Sequence, residues 1–318
     1  MSEFDIIRRY FSRPAPSALL GVGDDCALLA PRAGMALAVS TDMLVEGRHF
    51  AAGADPQALG HKSLAVNLSD LAAMGALPRW ALLALSLPQA DEAWLAAFSD
   101  GLYRLAERHG VALVGGDTTR GPLAISITVI GEVPPQLALR RDRARAGDDI
   151  WVSGATGMAA MALEHLSGRA PLSGANREAC LARLHTPQPR VELGLRLRAI
   201  AAGAIDVSDG LLADLAHVLE SSGVGAEIWD ESIPRHAALA SCEDKDLVRR
   251  CVVAGGDDYE LLFTARASER ARVEALAAEL GLALTRIGVV LAGEPTATLR
   301  DARGNALDIA VRGYDHFR

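Results

Sequence analysis

One short unit recurs along this chain: an apolar run, one or two small residues, then aspartate. It occurs at Asp24-Asp25, Asp42, Asp117, Asp206 with Asp209, and Asp257-Asp258. The apolar runs predict strands, and one strand ending in aspartate is an ordinary Asx turn. Five such units constrain the fold much more. They predict an α/β sheet whose strand ends gather acids into one cleft, because strand ends in a sheet are neighbours. Converging carboxylates repel one another unless cations lie between them. Carboxylate and hydroxyl oxygens suit hard cations, and Mg²⁺ is typically held by a few carboxylates together with substrate phosphates.

A further acid comes from a predicted helix, Lys62 to Gly75. Leu64, Leu68, Leu71 and Met74 recur at steps of three and four and predict one apolar stripe. Gly75 and Pro78 supply the stop. Asn67 and Asp70 are three apart and share a face. A carboxylate among apolar neighbours is costly to bury unless it is paired or holds a metal. The plainer reading makes Ser69-Asp70 the cap of a second, shorter helix.

In chain order, residues 3–12 predict a short helix broken by Pro14 and Pro16. Strands are expected at 19–29, 35–42, 80–87, 111–119 and 124–130. Asp91 is expected to cap a helix reaching about His109. Basic, proline-containing sequence at 134–147 marks a boundary, which gives domains at 1–140 and 141–318. Beyond it, Asp149 to Gly157 reads as a strand and a glycine turn feeding a helix at 158–167. Such a turn suits an anion at the helix N-terminus. Further helices are expected at 188–202, from Gly210 to about Leu219, and from a Ser268 cap to Leu280. The run at 252–263 repeats the glycine-glycine-acid device before a strand.

Several function classes are disfavoured. With 318 residues, half of them hydrophobic, and a net charge of −8, the chain reads as a soluble, mildly acidic protein with no nucleic-acid or membrane partner. No apolar run is long enough for a membrane span, and the N-terminus shows no signal peptide, so a cytoplasmic location is expected. The cysteines, Cys26, Cys180, Cys242 and Cys251, are widely spaced and read as reduced. No H-x-x-x-H or H-E-x-x-H pattern points to zinc. A glycosidase needs only a pair of acids, and a calcium loop of the D-x-D-x-D-G kind is absent. There is no P-loop and no protein-kinase motif set. Lys62 and Lys245 are the only lysines, so phosphate charge would have to be balanced by metal ions.

Eight motifs in order carry a resemblance: Gly23-Asp-Asp-Cys-Ala-Leu28, Ser40-Thr-Asp42, His49-Phe50, Ala65 to Gly75, Gly115-Gly-Asp-Thr-Thr-Arg-Gly-Pro122, Ile205-Asp-Val-Ser-Asp-Gly210, Gly255-Gly-Asp-Asp-Tyr-Glu260 and Gly313-Tyr-Asp-His-Phe317. Together they resemble the thiamine-monophosphate kinase family, in the superfamily of aminoimidazole ribonucleotide synthetase and selenophosphate synthetase. The resemblance implies a two-domain α/β (α+β) fold of the aminoimidazole-ribonucleotide-synthetase kind. It also implies that the N-terminal sheet pairs in a homodimer. The implied reaction is ATP plus thiamine monophosphate giving ADP plus thiamine diphosphate, with several Mg²⁺ ions.

Carried over by motif, Asp25, Ser40, Thr41, Asp42, Asp70, Asp117, Asp206 and Asp209 match magnesium positions, and the six aspartates among them are the implied catalytic set. Gly116, Asp117, Arg141 and Ser208 match ATP contacts. His49, Asp257 and Tyr314 match positions that touch thiamine phosphate. Two departures stand out: Asp257 replaces the family's usual glutamate, and Met158 follows Gly157 where an acid is common. The alternatives are another ATP-using member of the superfamily and an inactive metal- or nucleotide-binding relative.

Overall fold

The computed structural model describes residues 1–308. Its chain divides into two compact units, Met1–Leu71 with Ala76–Ala138, and Ala72–Gly75 with Leu139 onward.

Along the first stretch run α1 (Glu3–Ile6), β1 (Ala36–Val45), α2 (Pro56–Ala73), β2 (Leu77–Leu87), α3 (Glu92–Arg108), β3 (Ala112–Arg120) and β4 (Ala124–Val133). The strands form a four-stranded sheet in the order β1-β4-β2-β3. Only β2 and β3 are parallel, and α3 is the crossover that parallel neighbours require. Asp91 caps α3 by accepting from the N–H groups of Ala93 and Trp94. Alternation separates the faces of the sheet. Ala81, Leu83, Leu85, Ile125, Ile127 and Val129 are buried on one face, whereas Leu37, Val39 and Met43 of β1 are exposed on the other.

The second unit holds β5 (Asp148–Ser153), α4 (Met158–Leu166), α5 (Gly174–His185), α6 (Val191–Leu197), β6 (Gly203–Asp206), α7 (Leu211–Ser222), β7 (Gly225–Trp229), α8 (Lys245–Ala254), β8 (Leu261–Arg266), α9 (Arg270–Leu280), β9 (Leu284–Leu291) and β10 (Ala297–Arg300). Its six-stranded sheet runs β10-β7-β9-β5-β8-β6 and is antiparallel except for β10 against β7. Ile150, Val152, Met161, Ile205, Leu215, Val252, Leu262 and Ile287 lie at its core.

Several local expectations are corrected. Residues 19–29 form no strand; Leu20 and Leu28 exchange backbone hydrogen bonds and close a narrow loop over Gly21 to Asp25. β1 does not stop at Asp42 but continues to Val45, paired with β4 throughout. The helix containing Asp70 begins at Pro56, and residues 62–69 are buried on every side, so it has no single apolar stripe. Met74 lies beyond its end and is 37% exposed. Val252 to Ala254 close α8 rather than a strand, because the apolar residues Val248, Cys251 and Val252 recur at helical spacing. The 188–202 helix shrinks to α6, and Ser268 lies in a 3₁₀ turn before α9.

Candidate active site

In the first unit the site grows from the alternation of β1. Ser40 and Asp42 point to the helix side, and Thr41 points to the other. Ser40 Oγ donates to Asp70 Oδ2 at 2.5 Å, which joins the strand to the middle of α2. One turn earlier on α2, Asn67 Oδ1 accepts from the Asp42 N–H at 3.0 Å, while its amide donates to the Ser63 carbonyl. A hydroxyl and two carboxylates therefore share one face, and Asn67 holds the strand in register against the helix. The Thr41 hydroxyl is 2.7 Å from Thr128 Oγ1 on the open face. Sequence spacing could not separate Thr41 from its two neighbours, but the pleat does.

Asp25 lies on the narrow loop, exposed, and its N–H donates to Asp24 Oδ1 at 2.8 Å. Asp117 is exposed on β3 opposite Ala84. Gly116 before it has φ +143, and a Cβ there would sit 1.8 Å from the Leu83 carbonyl oxygen. Only glycine lets β3 approach β2 this closely. His49 follows β1 in a tight turn. Its Nδ1 accepts from the Val45 N–H at 3.0 Å, and its own N–H donates to the Val45 carbonyl. An accepting Nδ1 assigns the proton of the neutral ring to Nε2. His49 therefore presents a donor.

In the second unit, β6 and β8 are antiparallel, and backbone hydrogen bonds prolong the pairing past both strands. Val207 N–H donates to the Glu260 carbonyl, Tyr259 N–H to the Val207 carbonyl, and Asp257 N–H to the Ser208 carbonyl, each at 2.8 Å. Asp206, Ser208, Asp209 and Asp257 are thus brought to one strand end. A Cβ on Gly256 would lie 2.3 Å from the Ser208 carbonyl oxygen, which explains the glycine.

The loop at 208–210 is held by a residue that sequence reasoning missed. Asp214 Oδ2 accepts from the N–H groups of Ser208, Asp209 and Gly210 at 3.0 to 3.1 Å. Burial and then the Asp209 charge push its carboxyl up to about 7. Glu260 was also missed. Fully buried, it accepts from Ser153 Oγ and is paired with Arg183 and Arg190. Spacing gives no signal for it, since Ser153 lies 107 residues away.

The glycine turn before α4 also differs from expectation. Both Asp258 carboxylate oxygens accept from the Gly157 N–H, at 3.0 and 2.8 Å. The chain's own buried acid occupies the helix N-terminus that suggested an anion site. Arg141 is exposed in a 3₁₀ turn, and its carbonyl accepts from Ser222 Oγ. That seats its backbone at the opposite end of α7 from Ser208, about 17 Å along the axis by helical rise. Tyr314 lies outside the described residues.

Among the described residues no group of three or more His, Cys, Asp or Glu side chains is gathered closely enough to cage a metal ion. The donors present are all oxygen: hydroxyl and carboxylates on the helix side of β1, and exposed carboxylates at Asp25 and Asp117. Mg²⁺ is usually held by one or two carboxylates, with water and phosphate completing its shell, so this donor set fits it.

Comparison with known proteins gives the family. Residues 23–133 match the family described as AIR synthase related protein, N-terminal domain, and residues 145–300 match the corresponding C-terminal domain. The thiamine-monophosphate kinase of Salmonella typhimurium is 44% identical over 320 residues, covering 99% of this chain and 98% of its own. The chain belongs to the thiamine-monophosphate kinase family. Like those kinases, it is an enzyme. The crystal structure of the thiamine-monophosphate kinase from Stenotrophomonas maltophilia superposes with a TM-score of 0.85 at 50% identity, covering 96% of each chain. A second solved structure, AaThiL complexed with AMPPCP and TMP, gives 0.80 at 31% identity, covering 91% of this chain and 89% of its own.

Proposed function

We propose that this thiamine-monophosphate kinase family member transfers the γ-phosphoryl group of ATP directly to the phosphate of thiamine monophosphate, releasing ADP and thiamine diphosphate. The full-length relationship to the thiamine-monophosphate kinases carries this reading. We assign nucleotide and magnesium binding chiefly to residues 1–140, with Arg141, Asp206, Ser208 and Asp209 added from residues 141–318.

Asp25, Ser40, Asp42, Asp70, Asp117, Asp206 and Asp209 are the side chains we assign to magnesium. Thr41 takes part only through its main chain, since its hydroxyl is engaged with Thr128 on the other face. Magnesium, when bound, supplies the charge that neutralises phosphate oxygens during transfer. Gly116, Asp117, Ser208 and the exposed Arg141 are assigned to ATP. His49 and Asp257 are assigned to the acceptor, as is Tyr314 by motif. A phosphate monoester has its second pKa near 6, so the attacking oxygen is largely deprotonated at neutral pH. No side chain has to act as base. His49, with its proton on Nε2, donates a hydrogen bond to the acceptor and aligns it.

We also propose that the chain works as a homodimer formed through the open face of the first sheet. Val39 and Met43 are 61% and 59% exposed beside Leu37 on β1, which is unusual for large side chains on a strand. Val39→Lys should then yield monomers in light scattering, and an unchanged mass would refute this interface.

The catalytic reading is tested by steady-state ADP release. Release should require both magnesium and thiamine monophosphate. ADP formation at the same rate without the acceptor would overturn it.

A further inference from the structure

Asp257 and Tyr259 are the described non-glycine residues with positive φ, at 65° and 51°. Left-handed backbone is a strain that persists only where the surroundings impose it. Here the neighbouring segment imposes it, through the backbone bonds from Asp257 N–H to Ser208 and from Tyr259 N–H to Val207. Asp258 between them is anchored on Gly157, and Glu260 after them on Ser153 and two arginines. The odd-numbered side chains are thereby turned toward each other. The Tyr259 hydroxyl donates to Asp257 Oδ1 at 2.9 Å. The tyrosine is 8% exposed, so its ring is fixed by packing, while Asp257 is half-buried.

We infer that Tyr259 is a positioning residue for the acceptor, acting through Asp257. The hydroxyl holds the carboxylate in one direction, toward an N–H donor or cationic ring of the acceptor. Aspartate has one fewer rotatable bond than glutamate, so less conformational freedom has to be restrained. This inference rests on the assignment of Asp257 to the acceptor made above. A tyrosine that merely filled space would influence stability and leave acceptor recognition alone.

The test is a double-mutant cycle on the full chain with Tyr259→Phe, Asp257→Ala and the pair, measuring KM for thiamine monophosphate, KM for ATP, kcat and Tm. Tyr259→Phe keeps the ring and removes only the hydroxyl. It should raise KM for thiamine monophosphate by about threefold to tenfold, the range for one lost hydrogen bond. KM for ATP and Tm should stay unchanged. In the Asp257→Ala background the same substitution should have no further effect on KM. If Asp257→Ala raises the acceptor KM and Tyr259→Phe does not, the inference fails and the acceptor assignment stands. If Asp257→Ala leaves that KM unchanged, the assignment of Asp257 fails, and the positioning role with it. Equal KM increases from Tyr259→Phe in both backgrounds would show that the tyrosine acts independently of Asp257, and would also overturn the inference.

Discussion

Ser40 Oγ and Asp70 Oδ2 lie 2.5 Å apart across 30 residues of sequence, one on an edge strand and the other inside a long buried helix. The hydroxyl donates to one carboxylate oxygen and ties the strand to the helix. The Asn67 bond to the Asp42 backbone one turn away keeps the same strand and helix in register.

Asp70→Asn should therefore be nearly silent for the fold, since the carboxamide oxygen can still accept from Ser40. Turnover should fall by at least about 100-fold, as expected for a metal-binding group. Tm in chelator should not drop, because the substitution removes a charge and keeps the hydrogen bond to Ser40. Activity within a few-fold of wild type would exclude Asp70 from the magnesium set.

For His49, the accepting Nδ1 predicts a binding role. His49→Ala should raise KM for thiamine monophosphate and change kcat much less. A general base would be worth about 10²–10⁴ in rate, so a kcat loss of that size at constant KM would contradict the assignment.

Gly116→Ala should destabilise the β2–β3 pairing beside Asp117. The added methyl would meet the Leu83 carbonyl oxygen at 1.8 Å, and φ +143 is strained for alanine. A loss of roughly 3 kcal/mol in urea unfolding is expected, at the upper end for overpacking. Unfolding at the wild-type midpoint would mean that the two strands do not approach this closely.

A pH prediction comes from Asp149, away from the assigned residues. Burial raises its carboxyl pKa, but hydrogen bonds and charge from Arg270 and Arg286 outweigh that and leave it below the usual carboxylate range. For a depressed pKa, the stabilisation is present above the unfolded value near 4 and is lost as pH falls through the folded value. Asp149→Asn should thus cost about 3 kcal/mol at pH 7, the scale for breaking a buried pair. The difference from wild type should shrink steadily below about pH 4. A pH-independent difference would exclude the ionic contribution.

The first sheet was largely legible because β2, β3 and β4 are apolar runs bounded by turn residues, and Asp91 is a clear cap. β7 and β10 are short, and β10 carries threonine and arginine, so their strand character comes from pairing partners rather than pattern. The assigned acids were visible as types and spacings. Their supports were not. Asp214 reads as a helix-surface acid until three backbone N–H groups are seen to converge on it. Asp258 and Glu260 lie within a quoted motif, but their partners lie about a hundred residues away.

Transfer from phosphate to phosphate with no base is tested most directly with ATP labelled at the γ-phosphate. Thiamine monophosphate and free thiamine are offered in parallel at saturating magnesium. With thiamine monophosphate, the label should appear in thiamine diphosphate in step with ADP. Free thiamine should stay unlabelled, since its hydroxyl would need a base and it lacks the accepting phosphate. Labelling of thiamine at a rate comparable to its phosphate would contradict the account.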